Sequence, residues 1–357
     1  MKDMIYALRR FHGLIHQKRL DHQRKIKLKK YLKYPYGTNA YVLGSPVYSN
    51  LGDSAILLAQ LEFLRSVGWD RKQIKELTFN EYYQDREVVR KAIRNNQPIF
   101  GLGGGNMGNQ WPKEERFRYD MLEDFPENPM VIFPQTIFFL PNSKEAELSS
   151  VSYYNGRDNL IMVAREKKSL YIMQSMYPDT NIQFTPDIVL STSMEYFGVV
   201  EQERKGVLMC VRSDEEKIVD DNIWVELEGK LDSIAICHRR IDMYSDCSVT
   251  KENRAECVRK KMQEFCKAEL VITDRLHGMI FAAITGTPCV TFSNYNYKVK
   301  GTYDWISYLP YIRYAETAEE AMQVIPELLQ MKDCKFDNGP LMPYFDKLAE
   351  IIKEKCQ

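Results

Sequence analysis

Short apolar runs separated by longer amphipathic stretches fill residues 40–293, and this rhythm constrains the chain more than any other feature. AYVLG at 40–44, PIFGLG at 98–103, MVIFPQ at 130–135 and LIMVAR at 160–165 read as strands, with helical patterns between them. After a polar, acidic passage from Met194 to Lys205 the rhythm restarts with VLMCVR at 207–212, SIAICH at 233–238, LVIT at 270–273 and PCVTFS at 288–293. Alternation of this kind predicts an α/β fold: two doubly wound, Rossmann-like domains, each a parallel sheet covered by helices on both faces. The expected division is a helical arm over 1–36, a first domain over 37–197, a second over 198–335 and a C-terminal helix over 336–357. Two such domains facing one another place a ligand in the cleft outside the carboxyl ends of the strands.

Charge is uneven along the chain. The whole of its 357 residues sums to a formal charge of zero, which gives no reason to expect a nucleic-acid partner. Residues 1–36 nevertheless hold eleven Lys and Arg against two Asp. Ile5, Leu8, Phe11 and Leu14 or Ile15 recur there at helical spacing between the basic residues. Such an arm suits either packing on the fold with a solvated charged face or an anchor on an anionic membrane surface. The segment lacks the apolar stretch and cleavage site of a signal peptide, and no apolar run approaches the roughly 20 residues of a membrane span. A cytoplasmic protein, at most peripheral at the inner membrane face, is the expectation. Eight cysteines, all after residue 209 and without a CxxC pair, read as reduced core residues, and no metal site is expected.

Four strand ends carry residue types suited to chemistry. Asn50-Leu51-Gly52-Asp53 follows the first strand and opens a helix, so Asp53 is either a helix cap or a group that orients or deprotonates a sugar hydroxyl. Gly103, Gly104, Gly105 and Asn106 follow the second strand. Gly103, Gly105 and Gly108 formally match GxGxxG, but Pro112 is better suited to the first helical position than a helix is to the third glycine, and the next strand ends in Pro134-Gln135 without the acid a dinucleotide site needs. A loop where backbone N–H groups approach an anion or a sugar is what remains. Arg165 ends another strand, and its guanidinium fork either pairs with a neighbouring carboxylate or suits the carboxylate or phosphate of a small substrate. Finally, ITDRLHGMIFAAITGTPCVTF at 272–292 reads as strand, turn, helix and strand, with Asp274, Arg275 and His277 compressed at a helix N-terminus that favours anions.

Taken in order, the N-x-G-D turn at 50–53, the GGGN loop at 103–106, the Pro134-Gln135 pair, Arg165, Thr-Asp-Arg-Leu-His at 273–277 and a late Y-x-x-K-x-x-G element of Tyr295, Lys298 and Gly301 resemble the polysaccharide pyruvyltransferase family. The likeness covers about residues 40–310. It implies a GT-B-like pairing of the two domains, with the acceptor on the first and the donor on the second. It also implies phosphoenolpyruvate as donor substrate, no further cofactor, and a saccharide acceptor, in one version lipid-linked. By the same resemblance His277, Arg275 and Asp53 become catalytic candidates. Arg165, Asp274, Leu276, Lys298, Asn50, Gln135 and the Gly103–Asn106 loop become substrate-binding ones.

That chemistry explains the residue types. Phosphoenolpyruvate carries a carboxylate and a phosphate about an enol carbon, and two arginines with a helix N-terminus can hold both ends. A proton must reach the methylene carbon, a task suited to an imidazolium at His277, and the departing phosphate suits Arg275 and Lys298. Trp111 is a candidate sugar platform or an ordinary rim residue. Two rival readings share the architecture: a nucleotide-sugar glycosyltransferase or epimerase, and a carbohydrate-binding or scaffold protein without activity.

Overall fold

A computed structural model describes residues 2–33, 39–214, 216, 217 and 219–356, with side chains in the first helix from Arg10 onward except at 12 and 13. Seven strands form the first sheet: β1 Ala40–Ser45, β2 Ile74–Thr78, β3 Ile99–Gly101, β4 Gly104–Gly108, β5 Met130–Phe138, β6 Leu160–Ala164 and β7 Asn181–Phe184. Five form the second: β8 Val207–Cys210, β9 His238–Ile241, β10 Leu270–Thr273, β11 Cys289–Phe292 and β12 Ile312–Ala315. Every pairing within both sheets is parallel. The orders are β2-β1-β3-β5-β6-β7, with β4 beside β5, and β12-β11-β10-β8-β9. In each sheet the chain reverses its direction of travel beside the first strand, between β1 and β3 and between β8 and β10, and these switch points are where such sheets hold ligands.

Side-chain alternation divides the core into layers. Ala40 and Val42 of β1 face a core that continues into the second sheet through Leu208, Cys210, Val271 and Cys289. Tyr41 and Leu43 face the opposite side with Tyr82 and Phe117. On the far face of the second sheet Val207, Met209, Leu270 and Ile272 pack around Trp224. The middle layer therefore joins the two sheets, and the C-terminal helix Met342–Cys356 joins them again. Its Phe345, Leu348 and Ile352 enter that layer, and Phe345 lies 6.4 Å from Phe63 of the first sheet's helix Leu51–Val67. Each such side chain contributes about 1.5–3 kcal/mol by burial, so the chain's end ties back to its beginning.

Several elements depart from the sequence expectation. SIAICH is not a strand: the preceding helix runs to Ser233, and β9 is the polar His238–Ile241, whose Arg239 and Arg240 pair with Glu264 and Glu228. The stretches forming β2, β7 and β12 carry no strong apolar run. The glycine-rich segment is not an irregular loop, because Gly104–Gly108 is itself a strand beside β5. Pro112 does open the following helix, Pro112–Asp124.

The arm forms a helix, Lys2–Leu32. Among its described side chains, anchoring contacts come from the C-terminal part. Leu32 is fully buried, its carbonyl accepts from Asn39 Nδ2 and the Tyr41 hydroxyl, and Arg24 forks onto Asp85 at 2.7 and 3.1 Å. Phe11, Leu14, Ile15 and Leu20 are exposed, so packing does not account for these four; Ile5 and Leu8 lie outside the described side chains.

Candidate active site

One cavity of about 290 Å³ lies between the carboxyl ends of the two sheets. Tyr48, Asn50, Asp53, Gly105, Asn106, Trp111, Glu114 and Arg165 line it from the first half. Arg212, Asp214, Glu216, Met243, Tyr244, Arg275, Leu276, His277 and Lys298 line it from the second. Strand ends account for most of the convergence: Asp53 follows β1, Arg165 follows β6, Arg212 follows β8, Arg275 and Lys298 follow β10 and β11, and Gly105 is the second residue of β4. The halves are stitched at the cavity floor. Leu51 N donates to Met243 O at 2.9 Å and Ser245 N to Ser49 O at 2.8 Å, pairing the loop before one helix with the loop after β9.

Asp53 does not cap its helix. Asn50 is the N-cap, its Oδ1 accepting from Gly52 N at 3.0 Å, which leaves the Asp53 carboxylate in the first turn facing the cavity. The Tyr48 hydroxyl donates to Asp53 Oδ2 at 3.0 Å. Burial raises the Asp53 pKa, against the pull of His277, Tyr48, Lys298 and Arg165. A carboxylate with weakened preference for its charged form is suited to taking a hydroxyl proton.

His277 is the second residue of the helix Leu276–Ile284 and is held from two sides. Its ring presses on Gly52, where any Cβ would collide with the imidazole, so the glycine of the N-x-G-D turn is a seat for the histidine. On the other side Asp187 Oδ2 stands 3.6 Å from Nε2, which has no hydrogen-bond partner. Asp187 follows β7 and was invisible among the expected sites, although Thr-Pro-Asp before an apolar triplet is a turn-and-cap signal. Its Oδ1 caps the short turn at Val189 N, and its Oδ2 accepts from Arg165 Nη1 at 2.8 Å. Burial would lift Asp187, but His277, Arg165 and the Val189 N–H outweigh it and hold the carboxyl at about 2.

Arg165 is 2% exposed. Beyond Asp187 it donates from Nε to Thr136 Oγ1 at 2.8 Å, and Nη2 lies against Gly105, where a Cβ would come within 2.6 Å of it. Gly105 therefore admits this guanidinium to the cavity wall. Of the two alternatives drawn from the sequence, the structure shows the first, a pairing with a neighbouring carboxylate, at a residue that borders the cavity.

Arg275 differs most from expectation. It is the N-cap residue of the helix, yet its side chain turns to the loops after β8 and β9. Nε and Nη2 fork onto Asp242 at 2.7 and 2.8 Å, Nη1 donates to Asp214 at 2.6 Å, and the guanidinium lies 5.2 Å from the Tyr244 ring centre. Burial disfavours its charge, but the two carboxylates more than compensate. The expected anion clamp is thus already engaged by two acids of its own chain.

Lys298 and Arg212 meet on Glu216, and Arg212 also reaches Asp214 at 2.8 Å. Burial, opposed by Glu216, brings Lys298 down to about 8. Arg212, absent from the sequence candidates, ends a strand just as Arg165 does. Trp111 lines the cavity and donates to Glu216 at 3.4 Å across the two halves.

Four candidates, Gln135, Gly103, Gly104 and Asp274, lie behind the cavity rather than in it. Gln135 is fully buried and donates to Leu102 O at 2.6 Å. Gly103 and Gly104 pack against Ile56, so only Gly105 and Asn106 of that loop reach the cavity. Asp274 is 1% exposed and accepts from Arg212 N at 2.8 Å, and burial brings it up to about 6. Its work is to hold the β8 end beside the β10 end, since the Arg275 N–H is taken by Thr273 Oγ1. Leu276 lines the cavity as part of the central core.

Residues 50–297 match the profile of the polysaccharide pyruvyl transferase family. The chain is similar to General stress protein 30 of Bacillus subtilis (strain 168), 30% identical over 317 residues that cover 85% of this chain and 90% of that protein. It is also similar to Pyruvyl transferase 1 of Schizosaccharomyces pombe (strain 972 / ATCC 24843), 23% identical over 269 residues, covering 71% and 65%. A crystal structure of an uncharacterised protein from Klebsiella pneumoniae subsp. pneumoniae NTUH-K2044 shares the fold with a TM-score of 0.57 and 16% identity. It covers 82% of this chain and 97% of that one.

Proposed function

The chain belongs to the polysaccharide pyruvyl transferase family, and from that premise we propose that it moves pyruvate from phosphoenolpyruvate onto two hydroxyls of one sugar, forming a cyclic ketal. One observation carries the reading: four cations and a histidine from both halves border a single cavity together with four carboxylates, Asp53 among them. Arg165, Arg212, Arg275 and Lys298 suit the donor's carboxylate and phosphate, and each is held ready by an acid of the protein.

In this scheme His277 gives a proton to the methylene carbon while a sugar hydroxyl oxygen bonds the neighbouring carbon and releases its own proton to Asp53. The second hydroxyl oxygen then bonds the same carbon, the carbon–oxygen bond to phosphate breaks, and phosphate leaves with the electron pair and the second hydroxyl proton. Asp187, kept ionised, supplies the counter-ion for a protonated His277.

Incubation with phosphoenolpyruvate and a panel of free and lipid-linked glycosides, read by mass for the ketal, tests the reaction. Thermal stabilisation by phosphoenolpyruvate and not by nucleotide sugars is the expected companion result. Stabilisation by nucleotide sugars alone would transfer the cavity to a glycosyltransferase or epimerase. Lys298 adds a pH signature. Its ammonium loses charge as pH rises through about 8, so the KM for phosphoenolpyruvate rises between about pH 7 and 9, and Lys298→Arg moves that rise upward. A flat KM profile in the unmodified protein would remove Lys298 from donor binding.

The arm belongs to the same reading. Phe11, Leu14, Ile15 and Leu20 stand exposed among basic residues, which suits a cytoplasmic enzyme resting on an anionic inner-membrane surface where a lipid-linked acceptor resides. Among the described residues no helix is long and apolar enough to cross a membrane. Removal of residues 1–30 should abolish sedimentation with anionic vesicles; unchanged partitioning would leave the arm a packing element only.

A further inference from the structure

A second chamber, of about 270 Å³, adjoins the cavity on the side of the first sheet. Tyr48, Asn106 and Glu114 line both spaces, so these three residues form a shared wall. Beyond that wall the chemistry changes. Leu43, Val47, Phe79, Phe117 and Met121 make the second chamber largely apolar and aromatic. Phe79 stacks on Phe117 with ring centres 4.1 Å apart and planes at 28°. Gly44, at φ 84°, lets the Phe117 ring abut the backbone, where a Cβ would approach it to 2.8 Å.

The two spaces also differ in how many charged groups they hold. Arg118 borders the chamber but donates to Glu115 and Asn106, and Lys113 and Glu114 stand at its edge. The first cavity gathers four cations, Arg165, Arg212, Arg275 and Lys298, and four acids, Asp53, Glu114, Asp214 and Glu216. Its cations suit an anionic donor that can take them from their resident acids. An uncharged ring, with one C–H face to lay on aromatic carbon and hydroxyls for a few polar groups, fits the other.

We propose that this chamber holds the uncharged sugar ring of the acceptor and passes its hydroxyl pair beyond Tyr48 toward Asp53. The inference rests on the pyruvyl-transfer reading above and adds to it where the acceptor sits and what kind of sugar is accepted. Tyr48 is the hinge of the argument, because its ring borders the chamber while its hydroxyl is bound to Asp53 in the donor space. A sugar bearing phosphate or carboxylate on the buried ring would bring that charge against Leu43, Phe79, Phe117 and Met121 and be disfavoured.

Two substitutions test the chamber without touching the donor cavity. Val47→Trp, at a rim position 36% exposed, fills the space, and Phe79→Leu keeps an apolar side chain but removes the stacking ring. Each should raise the acceptor KM at least ~10-fold, with the KM for phosphoenolpyruvate and the thermal midpoint nearly unchanged. Acceptor-dependent phosphate release and ketal mass are measured for all three proteins. If the unmodified protein forms no ketal with any glycoside, the pyruvyl-transfer reading falls and the chamber's assignment with it. If it forms the ketal and both folded variants keep the acceptor KM, or change the donor KM instead, the chamber is not the acceptor site.

Discussion

His277→Gln lowers turnover at least ~10²-fold while the protein stays folded. Glutamine fills much of the imidazole's volume against Gly52 and retains polar atoms toward Asp187, so the loss reports the missing titratable proton rather than a cavity. The expectation follows from the chemistry of an enol ester, whose carbon accepts a hydroxyl only as its methylene neighbour gains a proton. Nε2 faces Asp187 Oδ2 at 3.6 Å and has no closer hydrogen-bond partner, so an acid held at about 2 is placed to stabilise the protonated ring. Asp187→Asn should therefore also slow turnover, by a smaller factor, because the ring stays but its counter-ion is gone. Asp53→Asn, assayed alongside, separates a base from a partner of Tyr48: a normal rate would leave Asp53 with the second role alone. Near-normal ketal formation by folded His277→Gln would take the proton-donor role from His277.

The parts of the fold that were legible in the sequence are those buried on both faces. β1, β3, β5, β6, β8, β10 and β11 are central strands, and burial on two sides demands the continuous apolar runs that mark them. The unmarked or misplaced strands are β2, β7, β9 and β12, the ends of the two sheet orders, and β4, which pairs with β5 off the main path. An edge needs no such run and is protected by charge, as Arg239 and Arg240 show, so its pattern resembles a loop. The site divides on similar lines. Residues with reactive groups next to recognisable strand ends, Asp53, Arg165, Arg275 and His277, were found. The acids that hold them, Asp187, Asp214, Glu216 and Asp242, lie in turns whose positions depend on tertiary pairing, and a motif gives no sign of which cation each will meet.

Arg275 shows why those partners matter, because Arg275→Ala is expected to cost stability as well as activity. Truncation leaves Asp242 and Asp214 facing one another without the guanidinium that both now bind. Removing one partner of a buried pair costs about 3–5 kcal/mol, and the low end applies here since each carboxylate side chain keeps about a fifth of its exposure. Urea unfolding should therefore show a loss of about 3 kcal/mol, with turnover down at least ~10²-fold. The two effects have separate origins and can be separated. Adding Asp242→Asn to Arg275→Ala removes one stranded charge, so most of the lost stability returns, while a charge needed at the departing phosphate stays absent. Recovery of both stability and turnover in the double variant would make Arg275 a positioning residue for the β8 and β9 loops; recovery of stability alone keeps it among the groups that act on the donor. Arg275→Lys sharpens the distinction, because an ammonium restores charge but cannot fork onto Asp242 while reaching Asp214. On the proposed reading, a donor that reaches this guanidinium must displace Asp214 or Asp242, and the acids around the cavity would then contribute to its selectivity.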